Sequence, residues 1–67
     1  MKTAKEYLDW FERESESLPN DVRTEILTAL NDGRPTVVFE VVFDLNEKKR
    51  LPPNWSEKIK EFWTVVY

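Results

Sequence analysis

The N-terminal part of the chain places apolar residues with the period of an α-helix. The first apolar stripe, at positions i, i+3, i+4 and i+7, consists of Ala4, Tyr7, Leu8 and Phe11. Thr3 and Glu6 have the spacing of a capping box, in which two side chains accept hydrogen bonds from backbone N–H groups left unpaired at a helix start. The pattern predicts a first helix over about residues 4–16.

A second helical stripe follows a break at residues 18–20. It consists of Val22, Ile26, Ala29 and Leu30, with Leu27 widening it. Asn20 can cap the start of this helix, and Gly33 can adopt the left-handed conformation just past its end. Because the link between the stripes is short, the two helices are expected to fold back as a hairpin that buries both stripes.

The segment 36–44 predicts a β-strand. Its sequence, Thr-Val-Val-Phe-Glu-Val-Val-Phe-Asp, is filled by β-branched and aromatic residues and is bounded by Gly33, Pro35 and Asn46. Alternate strand residues point to opposite faces of a sheet. The face expected to pack on the helical hairpin is wholly apolar and consists of Val37, Phe39, Val41 and Phe43.

The opposite face of this strand consists of Val38, Glu40 and Val42. It is apolar except for Glu40, so it is expected to be covered by the C-terminal segment or by a partner. Residues 46–49 resemble a hairpin turn, and residues 50–51 could pair back briefly before Pro52 and Pro53 end any ladder.

The C-terminal segment carries signals for both helix and strand. Asn54 and Glu57 repeat the capping-box spacing, and an apolar helical stripe follows them. The terminal residues 62–67, Phe-Trp-Thr-Val-Val-Tyr, have the composition of a strand. We expect a short helix over about residues 55–62 and then an extended tail. An uninterrupted helix to the end and a strand from about Lys58 are the alternatives.

Together these elements predict a small α+β domain that occupies residues 1–67. An N-terminal helical hairpin packs on a two- or three-stranded sheet, followed by a C-terminal short helix, a strand, or both. A sheet of this size leaves pairing edges exposed, and such an edge can pair with another chain.

Composition limits the size of the core and the compartment. A chain of 67 residues buries only about 60% of the surface that its unfolded form exposes. Three Trp, four Phe and two Tyr must therefore supply much of the core. There is no cysteine for a disulfide, no signal-peptide pattern and no apolar run near the roughly 20 residues of a membrane helix. We expect a soluble, cytoplasmic protein without a membrane partner.

Catalytic and metal-binding chemistry has little support in the sequence. The chain has no His and no Cys, and its single glycine, Gly33, excludes a glycine-rich phosphate loop. Asp9, Glu12 and Glu16 lie close together on the first helix, but off its apolar stripe, where a solvated face is expected. No cofactor, metal or enzymatic activity is predicted. An enzyme would require a composite site formed with another subunit.

The leading functional hypothesis is a non-enzymatic protein–protein interaction module, either a homodimer or a small regulator or inhibitor of a larger partner. It rests on missing catalytic chemistry together with an exposed strand edge and surplus aromatic residues. The candidate partner-binding residues are Trp10, Val38, Glu40, Val42 and Trp63.

Three alternatives remain open at this point. The turn residues Lys48, Lys49 and Arg50, with Trp55 as a stacking platform, could bind nucleic acid, although a net charge of −3 opposes this. The acidic face of the first helix could imitate a nucleic-acid backbone and capture a basic protein. The chain could also be an artificial design with no function, since its helix caps are consistent with one another.

Overall fold

The computed structural model describes residues 3–67, and all of the regular structure in this range is helical. The elements are α1 (Ala4–Glu14), a 3₁₀ turn (Ser15–Ser17), α2 (Asn20–Asp32), α3 (Pro35–Glu47) and α4 (Pro53–Val66). No strand occurs within residues 3–67. The predicted α+β class, with its two- or three-stranded sheet, is therefore wrong, and the fold is an all-helical bundle.

The two N-terminal helices lie close to where their apolar stripes predict them. Thr3 has the extended backbone of an N-cap, and its carbonyl accepts from the Glu6 N–H at 3.1 Å. Thr3 is the N-cap residue of α1, but no side chain caps the start of α1, so the predicted capping box is wrong. Asn20 is already inside α2, so its predicted cap is wrong as well. Gly33 does end α2, with φ of 85° and its N–H donating to the Leu30 carbonyl at 3.1 Å.

The predicted strand over residues 36–44 is the middle of α3. Pro35 stands in the first turn of this helix, where its fixed φ is suitable and its missing N–H costs no hydrogen bond. Val38, Val42 and Leu45 follow a spacing of i, i+4 and i+7 and are buried in the core. This burial outweighs the weak preference of β-branched residues for strands, because packing of an apolar face supplies most of the stability of a helix.

The predicted hairpin turn over residues 46–49 is the C-terminal cap of α3. Lys49 is left-handed, with φ of 58°, and its N–H donates to the Asn46 carbonyl at 3.0 Å. The Arg50 N–H reaches back to the Leu45 carbonyl at 2.9 Å. These two bonds form a Schellman motif, which satisfies carbonyls at a helix end and releases the chain in a new direction.

The last helix is longer than the short helix predicted over residues 55–62. α4 begins at Pro53 and continues to Val66, so the predicted extended tail and short return strand are wrong. The alternative of an uninterrupted helix is the form adopted. Asn54 lies inside α4, and no side chain caps its start, so the predicted cap is wrong as well. The buried stripe of α4 consists of Trp55, Ile59 and Phe62.

One core joins the four helices, because each contacts its neighbour in the chain and α1 also contacts α4. The buried apolar residues are Tyr7, Phe11, Val22, Ile26, Ala29, Val38, Val42, Leu45, Trp55, Ile59 and Phe62. None of the helices formed by residues 3–67 has the length and apolar character needed to cross a membrane.

Candidate functional site

An apolar groove of about 330 Å³ lies between α3 and α4. Its walls are Phe39, Phe43, Ile59, Lys60 and Trp63. We call this feature the aromatic groove. Tyr67 extends it beyond α4, because the Tyr67 ring meets the Phe39 ring edge-on at a centroid distance of 5.5 Å.

Helical spacing explains why these side chains lie together. Phe39 and Phe43 are four residues apart on α3, and their rings stack at 5.6 Å with planes 23° apart. Ile59 and Trp63 have the same spacing on α4. Ile59 is buried, whereas Trp63 stands at the edge of the buried stripe and extends into solvent. The apolar faces of α3 and α4 therefore extend beyond the buried core. The groove lies where their exposed edges meet.

Three aromatic side chains in and beside the groove are exposed to solvent. The exposed fractions are 46% for Phe43, 57% for Trp63 and 68% for Tyr67. An aromatic side chain presents about 150–250 Å² when it is freed from packing. Three rings at these exposures present roughly 250–450 Å² to solvent, in the range where an apolar patch on a monomer is often functional.

Charge is scarce in the wall of the groove. Lys60 is the only ionisable residue in the groove wall. Glu57 precedes it by three residues on α4, which places both side chains on the same side of the helix. Both are exposed, and neither forms an ion pair with any residue of the range 3–67.

The structure does not bring the predicted partner-binding residues together. Val38 and Val42 have no exposed surface and belong to the chain's own core. Glu40 is exposed on α3 but lies outside the groove wall. Trp10 is half-buried and packs edge-to-face with Trp55, with their ring centroids 5.2 Å apart. Trp63 alone lies in the aromatic groove.

The sequence pattern does not identify Phe39, Phe43, Lys60 or Tyr67 as surface candidates. It assigns both phenylalanines to a buried strand face, because alternate residues share a face only in an extended chain. The spacing of four between Phe39 and Phe43, and between Trp63 and Tyr67, is the signal that finds them once α3 and α4 are helical.

The predicted nucleic-acid site is not assembled as a binding surface. Trp55 is 1% exposed and cannot stack on a base. Lys48 forms an ion pair with Asp44 at 3.0 Å, and Arg50 pairs with Asp21 of α2. The bond from Arg50 is the main reason that the pKa of Asp21 lies below its ordinary value. Two of the three basic side chains are thus already bound to carboxylates.

The predicted acidic group of Asp9 and Glu12 in α1 and Glu16 in the 3₁₀ turn does not form a site. Asp9 pairs with Lys5 at 3.3 Å, and Glu12 and Glu16 are exposed. No group of three acidic side chains within residues 3–67 has the arrangement of a metal site.

A smaller depression on the other side of α4 has a structural explanation. The Lys58 ammonium lies 5.5 Å from the centre of the Trp10 ring and 5.9 Å from that of Tyr7. The Tyr7 hydroxyl donates to the Glu61 carboxylate at 2.9 Å. These contacts hold α4 against α1. Within residues 3–67 the exposed aromatic rings are those of Phe43, Trp63 and Tyr67.

Comparison with known proteins adds no further assignment. The sequence matches no protein-family model, no curated protein and no solved structure.

Proposed function

We propose that this chain is a non-enzymatic protein-interaction module that binds its partner through the aromatic groove. The observation that carries the proposal is the exposed pair Phe43 and Trp63, on two different helices, lining one concave apolar surface. Tryptophan and tyrosine are enriched among the residues that dominate binding energy at protein interfaces, particularly where they can be fully desolvated.

The chemistry of the groove supports binding rather than catalysis. The five residues of its wall contain one ionisable group, Lys60, and no hydroxyl, thiol, imidazole or carboxylate. Covering the exposed rings removes apolar surface from water at about 25 cal/mol per Å². A partner that buries this surface gains several kcal/mol before the costs of association are subtracted.

A small regulator or inhibitor of a larger protein is one form of such a module, and a homodimer is another. Both use the same surface. The nucleic-acid alternative has no comparable support, because its stacking residue, Trp55, is buried.

Capture of the partner from cells that express the chain tests the proposal. The bait is the tagged chain, compared with Trp63→Glu and with Val65→Glu. Val65 is a matched control because it is 37% exposed on α4 and lies about 200° around the helix from Trp63. We expect a specific partner to be retained by the wild-type chain and by Val65→Glu, and to fall at least tenfold with Trp63→Glu.

Circular dichroism of each bait verifies that its helices are intact. The proposal fails if folded Trp63→Glu bait retains the same proteins as the wild-type chain. It also fails if the wild-type chain retains neither another protein nor an untagged copy of itself.

A further inference from the structure

We infer that the aromatic groove binds a single α-helix of another protein. This helix carries an apolar stripe of about two turns, flanked by one carboxylate that meets Lys60. The inference rests on the proposed function, because it uses the same surface, and it specifies the kind of segment that the surface binds.

The groove cannot hydrogen-bond to the N–H groups of an extended peptide. Its wall residues lie inside α3 and α4, where backbone groups are bonded along the helix, and the Trp63 carbonyl accepts from the Tyr67 N–H at 3.0 Å. The polar side-chain groups in the wall are the Lys60 ammonium and the Trp63 indole N–H, and both are donors. An extended occupant would therefore bury unpaired N–H groups, which is costly, whereas a helix bonds its own backbone.

The length of the groove fits about two turns of a partner helix. Lys60 is in the groove wall on α4, and Tyr67, which extends the groove, follows it by seven residues. Seven residues span about 10 Å along a helix axis. Apolar residues at positions i, i+4 and i+7 of a partner helix span the same distance and share one face, so their side chains can fill the groove.

The area of the exposed rings favours a narrow occupant. Phe43, Trp63 and Tyr67 are 46%, 57% and 68% exposed, and their rings present roughly 250–450 Å². A standard interface between two folded proteins buries about 800 Å² on each partner. The exposed rings supply only about half of that area, which one helix can cover.

Lys60 favours an acidic residue on the partner helix. Its side chain is exposed and forms no ion pair with any residue of the range 3–67. An apolar helix that covers the groove removes water from the ammonium group, which costs free energy unless a carboxylate takes the place of that water. The net charge of −3 disfavours a partner with a long acidic tract. One carboxylate beside an apolar stripe is therefore the complementary arrangement.

Selection from a random library of linear peptides of about 16 residues tests the inference without assuming a sequence. The wild-type chain, Trp63→Glu and Val65→Glu are the targets. We expect peptides enriched on the wild-type chain and on Val65→Glu to share apolar residues at i, i+4 and i+7 with Asp or Glu beside them. Trp63→Glu should not enrich them, because it places a carboxylate in the apolar groove. Circular dichroism should show that an enriched peptide gains helical signal when the wild-type chain is added.

Charge exchange tests the contact with Lys60 even if Trp63→Glu alters the fold. Fluorescence anisotropy of an enriched, labelled peptide gives its Kd. Lys60→Glu should raise this Kd about fivefold, and so should replacement of the peptide's acidic residue by lysine. The lysine peptide and Lys60→Glu should together bind within about twofold of the original pair, because the two charges have been exchanged.

Lys5→Glu is the matched control for net charge. Lys5 is exposed on α1, pairs with Asp9 and lines a separate depression. Its reversal should leave the Kd of the enriched peptide within about twofold. Tight binding of the lysine peptide to Lys60→Glu also shows that this variant chain is folded.

Three results would overturn the inference. They are a selection that enriches no peptide dependent on Trp63, an enriched peptide that binds without gaining helical signal, and charge exchange that fails to restore the Kd. Self-association that Trp63→Glu abolishes in sedimentation equilibrium would assign the groove to a second copy and overturn it as well.

Failure of the helix and failure of the proposed function are distinguishable. A cellular partner that the wild-type chain retains and Trp63→Glu loses leaves the proposed function standing even if no helical peptide binds. If neither a peptide nor a cellular partner depends on Trp63, both are overturned.

Discussion

The ring of Phe11 lies nearly parallel to the indole of Trp55, with their centroids 5.3 Å apart and their planes at 17°. This stacked pair joins α1 to α4, the first and last helices of the chain. Phe62 packs edge-to-face with Phe11, and Trp10 packs edge-to-face with Trp55, each with ring centroids 5.2 Å apart. The aromatic cluster therefore closes the bundle in a chain that has no disulfide to do so.

Trp55→Ala should lower the free energy of unfolding by about 3–5 kcal/mol. The reason is the cavity left beside Phe11 and Trp10, since Trp55 is 1% exposed. A domain of this size is stable by only about 5–15 kcal/mol, so a large part of its stability is lost. Urea unfolding followed by circular dichroism measures the change.

Trp63→Ala is the control for this prediction. Trp63 is 57% exposed, so its removal should cost less than about 1 kcal/mol. Equal losses for the two tryptophans would contradict the assignment of Trp55 to the core and Trp63 to the surface.

The sequence is sufficient to place α1 and α2 but not α3. The first two helices have apolar stripes separated by charged residues, so only one periodicity fits them. In α3 nearly every residue from Val37 to Phe43 is apolar, so a helical stripe and a strand face fit equally well. Whether this segment forms a helix or a strand depends on its packing against α2 and α4, which lie elsewhere in the chain and both contact α3.

The candidate site is predicted only in part for the same reason. Trp63 is identified as a candidate because it is adjacent to Phe62, and two adjacent aromatic residues cannot both face one core on a strand and span a wide arc on a helix. The sequence pattern assigns Phe43 to the core because it follows Val41 by two residues. Residues two apart lie on the same face only in a strand. Sequence alone cannot place Phe43 beside Trp63, because that contact forms only when α3 packs on α4.

Substitutions of Glu40 distinguish the helix from the strand. Glu40 is exposed at the centre of α3, where intrinsic preference acts without interference from packing. Glu40→Ala should be more stable than Glu40→Thr by roughly 0.5 kcal/mol, because alanine favours a helix and threonine a strand. The pair should differ by about 2–4 °C in Tm. A higher Tm for the threonine variant would contradict a helical α3.

Gly33 ends α2 in a conformation that other residues adopt at a cost. Its φ is 85°, and a methyl group there would meet no atom within 4 Å. Gly33→Ala should therefore destabilise the chain through backbone strain alone, by about 1–2 kcal/mol. Gly33→Asn should lose less, since asparagine tolerates the left-handed region. Chemical denaturation of both variants checks the order, and equal stability of the alanine and wild-type chains would contradict it.

The ion pair between Asp21 and Arg50 should make stability fall in acid. The hydrogen bond from Arg50, and then one from the Val22 backbone, hold the pKa of Asp21 below its ordinary value of 3.8. A carboxyl whose pKa is lower in the folded chain binds its proton more readily in the unfolded chain. Its contribution is complete above the unfolded pKa and is lost as pH falls through the folded pKa.

Urea midpoints measured from pH 7 to pH 2 test this linkage. We expect the wild-type midpoint to fall below about pH 4. Asp21→Asn should make that fall shallower, because the variant has no proton to bind at this position. Arg50→Gln should produce a similar change by removing the main cause of the lowered pKa. The pKa of Asp32 is likewise lowered by Arg34, so Asp32 also makes stability fall as the pH is lowered. Asp32 is present in both variants. An unchanged acid slope in Asp21→Asn would show that the pair does not link α2 to the end of α3 in solution.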